Sequence, residues 1–258
     1  TLYFTRNNFT EGKKGRDSKK TIRLKLYKAT KSGDNLWTNV VELPFNGAEF
    51  SVAHPALNND ENRLYFASDM EGTYGQSDLW YVDVSGGDSY GTPVNLGATI
   101  NTEERDTFPF ISDKNKLYFS SDGHAGLGGL DVFVSELNED GSVLDSITNL
   151  GEPTNSVYDD FGFIINEEKR IGYISSNRSG DKGSIDDEIY LIKEKKCVIS
   201  IEGVVTDIDT GALLPGAVVS LMDEELNLVD STIVGEDATY NFNVDCDKQY
   251  TLRVVKTE

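Results

Sequence analysis

One hexapeptide, repeated four times, limits what this chain can fold into more than any other feature. Leu2-Tyr3-Phe4-Thr5-Arg6-Asn7 returns as Leu64-Tyr65-Phe66-Ala67-Ser68-Asp69, as Leu117-Tyr118-Phe119-Ser120-Ser121-Asp122 and, more loosely, as Gly172-Tyr173-Ile174-Ser175-Ser176-Asn177. Before each of the later copies lies an apolar run: His54-Pro55-Ala56-Leu57, Phe108-Pro109-Phe110-Ile111 and Phe161-Gly162-Phe163-Ile164. After each comes a Gly-rich loop, then an acidic residue and an aromatic run: Asp78-Leu79-Trp80-Tyr81, Asp131-Val132-Phe133 and Glu188-Ile189-Tyr190. Pro93-Val94-Asn95-Leu96-Gly97 and Ile147-Thr148-Asn149-Leu150-Gly151 close two of the units. Such self-similarity is read before anything else, because missing it misassigns the whole fold.

Four short β-type runs per unit, separated by Asp, Gly, Asn and Ser turns, are what one blade of a β-propeller requires. A helical solenoid needs apolar positions at i, i+3, i+4 and i+7, whereas Ile22, Leu24 and Leu26 alternate at period two. The run before each Leu-Tyr-Phe copy is expected innermost, where blades crowd the axis. The chain opens at a second strand, so it is expected to be a fragment of a larger protein. Four units are visible, and a ring of five or six blades is expected. From Cys197 the period stops and alternating runs at Ile199 to Val205, Leu226 to Val234, Thr239 to Val244 and Tyr250 to Val255 suit a small antiparallel β-sandwich. The chain is therefore read as all-β, with a propeller over 1–195 and a sandwich over 196–258, divided in the Lys193-Glu194-Lys195-Lys196 charge run.

Lys and Arg total 24 against 44 Asp and Glu, a formal net charge of −20. A phosphate backbone is repelled by that balance, and no basic stripe offsets it, so nucleic acid is excluded as a partner. Anionic lipid is disfavoured on the same ground, and no apolar run is long enough to span a bilayer, so direct membrane insertion is not expected. The excess is either a docking face for a basic partner or a device for solubility. Two cysteines, Cys197 and Cys246, are too few for a disulfide scaffold and lack the spacing of a zinc or redox site.

The first 195 residues resemble the WD40-like propeller repeat shared with TolB, in the version carried by periplasmic OmpA-family proteins of Bacteroidetes. The likeness rests on the Leu-Tyr-Phe-x-Ser-Asp strands, the returns Gly75 to Trp80 and Gly128 to Phe133, and the elements Asn95 to Asn101 and Asn149 to Asn155. The remainder resembles the carboxypeptidase-regulatory-like domain through Gly203 to Asp207, Thr210-Gly211, Pro215 to Val219 and Ala238 to Phe242, with Ala238 where that family has glycine. Their order is similar to that of PorE-like proteins of type IX secretion. That resemblance implies a periplasmic location at the outer membrane, envelope proteins as partners, and peptidoglycan contact only through a C-terminal domain that this sequence does not contain. Both cysteines sit at strand ends, and an oxidising periplasm favours a Cys197 to Cys246 disulfide over two packed thiols.

Asp69, Asp78, Asp122 and Asp131 recur at the turns, where carboxylates either bind calcium or accept hydrogen bonds from turn amides. Recurrence in every unit favours the structural role, so no cofactor is expected, with calcium as the alternative. His54 and His124 give little material for Ser/His/Asp chemistry. His54, placed beside the inner strand where Phe108 and Phe161 stand in other units, is expected at the channel rim. A paired-carboxylate glycosidase is the enzymatic rival, but Ser68 to Tyr74 does not match a sialidase turn. Trp37, Trp80, Tyr74 and Tyr90 are expected to pack within blades. The chain is read as a non-enzymatic scaffold or interaction module, with a glycan-binding or glycan-hydrolysing propeller as the alternative.

Overall fold

The computed structural model describes residues 1–10, 13–86, 89–138, 141–143, 146–179, 186–246 and 248–256. The Gly-rich loop expected in the fourth unit falls largely on 180–185, outside the described residues. The chain is all-β and divides into two compact units, Thr1–Lys193 and Glu194–Glu258.

The first unit is a series of antiparallel meanders. β1 (Leu2–Asn7) is followed by a small hairpin of β2 (Phe9–Thr10) and β3 (Lys13–Lys14), then by β4 (Leu24–Gly33) and β5 (Leu36–Glu42), and the first sheet runs β1-β4-β5. The second sheet holds β6 (Val52–Leu57), β7 (Arg63–Ser68), β8 (Asp78–Asp83) and β9 (Val94–Asn95) in chain order. The third repeats it with β10 (Asp106–Ile111), β11 (Lys116–Ser121), β12 (Asp131–Glu136) and β13 (Thr148–Asn149). The fourth holds β14 (Asp160–Asn166), β15 (Ile171–Ser176) and β16 (Glu188–Lys193). Sequential meanders stacked face to face make the unit propeller-like.

Period-two alternation explains why Leu-Tyr-Phe is the repeated word. Leu64 and Phe66 of β7 point back into a core with Leu26 and Leu43 of the first sheet region, together with Val52, Trp80 and Val82 of their own sheet. Tyr65 and Ala67, on the other face of the same strand, point forward into a core with Leu117, Phe119 and Phe133. Tyr118 in turn faces Phe163, Ile165 and Ile174 of the fourth sheet. In that sheet the forward-facing row Ile164, Tyr173 and Leu191 stays about half exposed.

The inner strands β6, β10 and β14 each break register at one place, between Ala53 and Ala56, Thr107 and Phe110, and Phe161 and Ile164. His54 (φ 56°), Phe108 (φ 51°) and Gly162 (φ 63°) occupy the same left-handed position in the three bulges. This corrects the sequence alignment: His54 lies within β6, and its counterpart in the fourth sheet is Gly162, with Phe161 one residue earlier. The three bulges are equivalent, and the offset arises because the hairpin from Ile111 to Leu117 is one residue shorter than those from Leu57 to Leu64 and from Ile165 to Gly172.

In the second unit, β17 (Val198–Val204) pairs with β20 (Thr239–Asp245), and β18 (Val218–Met222) lies between β19 (Leu228–Ile233) and β21 (Thr251–Val255). Val219 and Leu221 from one sheet and Phe242 and Val244 from the other share a core with Val205, Ala217 and Val234. Ala238 is fully buried and adopts φ 53°, so the left-handed turn persists although a Cβ opposes it. Cys197 and Cys246 form a disulfide with their Cα atoms 5.5 Å apart.

Two outcomes are expected. Phe119 is fully buried, and Phe119→Ala should cost about 3–5 kcal/mol in chemical denaturation. Tyr173→Ala, at a half-exposed counterpart of Tyr118, should cost under about 1 kcal/mol; equal losses would contradict the stacking described. Cys197 and Cys246 should resist alkylation until reduced, and their reduction should cost up to about 4 kcal/mol for a loop of this length, measured by intact mass and by melting.

Candidate functional site

Three sets of polar residues recur where the meanders turn. The first is an asparagine that fastens the strand next in its sheet. Asn101 accepts from the Leu79 amide at 2.7 Å and donates to the Leu79 carbonyl at 3.0 Å, and Asn155 makes the same pair of bonds to Val132, both at 2.8 Å. Asn46 does this for Leu26 at 2.9 and 2.8 Å. Asn95 and Asn149 accept from the Asn101 and Asn155 side chains at 2.8 and 2.7 Å. Asn101 and Asn155 are almost fully buried, where an amide left unpaired costs about 1–3 kcal/mol.

The carboxylates singled out in the sequence form the second set. Asp78 accepts from the Tyr74 amide at 2.9 Å, the Gly75 amide at 3.3 Å and Asn95 Nδ2 at 2.7 Å. Asp131 accepts from the Leu127 and Gly128 amides. Asp69 accepts from the Ser51 amide at 2.5 Å and from Arg23 Nη1 at 2.6 Å, and Asp122 from the Arg105 amide at 2.7 Å and Arg105 Nε at 2.8 Å. The bonds of Asp69 and Asp122 tie their loops to the residue just before the inner strand, and those of Asp78 and Asp131 close each loop on its own amides. Asp69 with Asp78, and Asp122 with Asp131, therefore belong to separate hydrogen-bonded turns, and among the described residues the buried Oδ1 of Asp131 has no hydrogen-bond partner. Among the described residues, no group of three or more acidic, histidine or cysteine side chains is arranged to hold a metal ion.

A third set was not legible in the sequence. Asp106 accepts from the Thr102 amide and hydroxyl at 2.6 and 2.9 Å, and Asp160 does the same with Ser156 at 2.6 and 2.8 Å. Arg178 also pairs with Asp160 and donates to the Thr154 carbonyl at 2.5 Å. In the third meander no arginine occupies this place, and His124 Nε2 bonds the matching Ile100 carbonyl at 2.8 Å. Burial pushes the Asp106 carboxyl up, opposed by hydrogen bonds from Ser121 and Thr102.

His54 stands apart from the turns, among the inner strands. Its amide donates to Thr5 Oγ1 at 2.9 Å, and its Nδ1 lies 2.7 Å from Thr107 Oγ1. Its ring stacks on Phe108 with centroids 3.8 Å apart and an interplanar angle of 13°, and Phe108 is 5.0 Å from Phe161. Burial pushes the imidazole down from 6.5 to about 4, so it is neutral at pH 7. Two hollows border this column, one of 330 Å³ toward Asp69 and Arg105 and one of 450 Å³ along the apolar inner strands. Of the aromatic residues noted in the sequence, Trp80 is buried in the core, Tyr90 meets Tyr3 at 3.1 Å, and Trp37 and Tyr74 are exposed. A third hollow of 680 Å³, lined by Asn58, Asn62, Arg63, Tyr65 and Asp83, lies at the opposite ends of β7 and β8.

No family model matches the sequence, and no curated protein is similar to it. Among solved structures the chain is similar to an α-L-arabinofuranosidase from Lactobacillus brevis, at 12% identity and a TM-score of 0.44, covering 82% of this chain and 70% of that one. It is similar to TolB from Acinetobacter baumannii at 14% identity and a TM-score of 0.41, covering 90% of this chain and 50% of TolB. A thermostable family-43 glycoside hydrolase is similar at 14% identity and a TM-score of 0.40, covering 73% of this chain and 66% of that one. The chain thus spans half the length of TolB. Likenesses this distant assign neither a site nor an activity.

The pH dependence of the His54 column has a defined sign. Its folded value lies below its unfolded value, so the contribution to stability is complete above 6.5 and is lost as the pH falls toward about 4. His54→Phe, which supplies the ring found at Phe108, should remove up to about 3 kcal/mol of acid destabilisation over that window. Denaturation midpoints of the parent and variant at pH 7 and pH 4.5 check this; parallel losses would contradict the assignment.

Proposed function

We propose that the chain is a non-catalytic scaffold and protein-interaction module of a periplasmic OmpA-family envelope protein. The finer fold that goes with this reading is a ring of five or six blades followed by a carboxypeptidase-regulatory-like β-sandwich. Its partners are an outer-membrane or type IX secretion component on one side and, through a domain outside this sequence, the cell wall on the other. The observation that carries the reading is that the turn carboxylates are each engaged by main-chain amides or an arginine in separate turns. Catalysis by paired carboxylates needs one acid and one base facing a common substrate, about 5–5.5 Å or 6.5–9.5 Å apart. Asp69, Asp78, Asp122 and Asp131 instead hold main-chain amides and arginines in separate turns. That arrangement supports stiff loops suited to presenting a surface. The charge of −20 favours a basic partner face, with association that weakens as salt rises.

A glycan-binding reading draws support from the 680 Å³ hollow, where two asparagines, Arg63, Tyr65 and Asp83 offer hydrogen-bonding groups of the kind that hydroxyls use. The two readings separate in one pair of experiments. Immobilised chain should retain a basic envelope protein at 50 mM salt and release most of it at about 500 mM, the range over which screening removes exposed charge pairs. A glycan array with a hydrolysis readout should stay negative; a specific glycan signal, together with no retained envelope protein, would reverse the order.

A further inference from the structure

We infer that the apolar hollow along the inner strands is a binding site for an uncharged aromatic small molecule, with the His54 imidazole as its polar anchor. At 450 Å³ the hollow falls within the range of about 300–1,000 Å³ typical of small-molecule sites. Pro55, Leu57, Phe110, Ile111, Phe163 and Ile164 make most of its wall, and no charged residue lines it. A charged ligand would lose its hydration there without a partner, which selects for an uncharged one.

The inner strands also decide what cannot bind. Pro55 and Pro109 lack an N–H, and each inner strand is bulged, so an extended peptide finds no regular edge to pair with. What the strands offer is ring surface. His54 stacks on Phe108, Phe161 lies tilted against Phe108 at 35°, and two of these three rings are held by residues in the left-handed region. A Cβ is strained there, whereas the fourth meander avoids the strain with Gly162 at the same position. Two meanders thus keep a strained backbone that a glycine would relax, and what they gain is the placement of a ring.

Two polar side chains, His54 and Thr5, line the hollow, and Thr5 Oγ1 already accepts from the His54 amide. Nδ1 of His54 is engaged by Thr107, while Nε2 has no hydrogen-bond partner among the described residues. The Thr107 hydroxyl can either donate to or accept from Nδ1, so both tautomers are open and Nε2 can donate to or accept from a polar edge of the ligand. The imidazole is neutral at pH 7, which suits an uncharged guest. This site is independent of the scaffold reading, and neither result decides the other.

Titration of the full chain with indole, followed by calorimetry and by amide NMR shifts, tests the assignment. Saturable one-to-one binding is expected, with shifts centred on His54, Phe108 and Ile164. His54→Phe should weaken indole at least five-fold while keeping the stacked column. Ile164→Glu changes a half-exposed wall residue, so the melting temperature should hold while affinity falls at least ten-fold. Decanoate, apolar but charged, should not bind. An absence of saturation with indole, equal affinity in both variants, or decanoate binding as tightly as indole would overturn the proposal.

Discussion

The structure of the first unit depends on one strand having two faces. In β7 and β11 the Leu and Phe of each Leu-Tyr-Phe copy face the preceding sheet, and the Tyr between them faces the following one. The second and third sheets therefore each take part in two interfaces through adjacent residues of a single strand. The arrangement leaves little freedom of register, because a slip by one residue exchanges the two faces at once. Stability in such a stack is a sum of sheet and interface contributions, so no meander is secure alone.

The polar residues serve that stacking. Each asparagine staple and each turn carboxylate fixes the loop that leads to the next interface, through bonds to main-chain groups and to neighbouring side chains. Buried polar groups are tolerated when saturated, and saturated they rigidify. Engaged in separate turns, these carboxylates do not face a common substrate, which is why the functional reading turns to surfaces and to the inner-strand hollow. The third meander departs from the fourth here: His124 takes the carbonyl that Arg178 holds, and Asp106 has no arginine to match the one on Asp160.

Much of this was legible from residues alone. The Leu-Tyr-Phe copies located β1, β7, β11 and β15 because an aromatic repeat at period two has few other uses, and the Asn-Leu-Gly elements located the short outer strands at Val94–Asn95 and Thr148–Asn149. The all-β, propeller-like character follows from these. What was not legible depends on backbone geometry. All three inner strands carry the same bulge, but the hairpin from Ile111 to Leu117 is one residue shorter than those from Leu57 to Leu64 and from Ile165 to Gly172, so Phe161 looked equivalent to Phe108 although Gly162 is. Asn46 was missed because Leu43-Pro44-Phe45 carries no Asn-Leu-Gly signature, although the asparagine makes the same two bonds. The column of His54, Phe108 and Phe161 joins residues about fifty positions apart, a distance that no local pattern bridges.

Native-state hydrogen exchange on the intact chain tests the two-faced strand most directly. If adjacent sheets depend on each other through β7 and β11, the slowest amides of the second and third sheets should share one opening free energy and one denaturant slope, with the fourth sheet opening more easily because its forward face is half exposed. Independent openings for the second and third sheets, each with its own slope, would contradict the account.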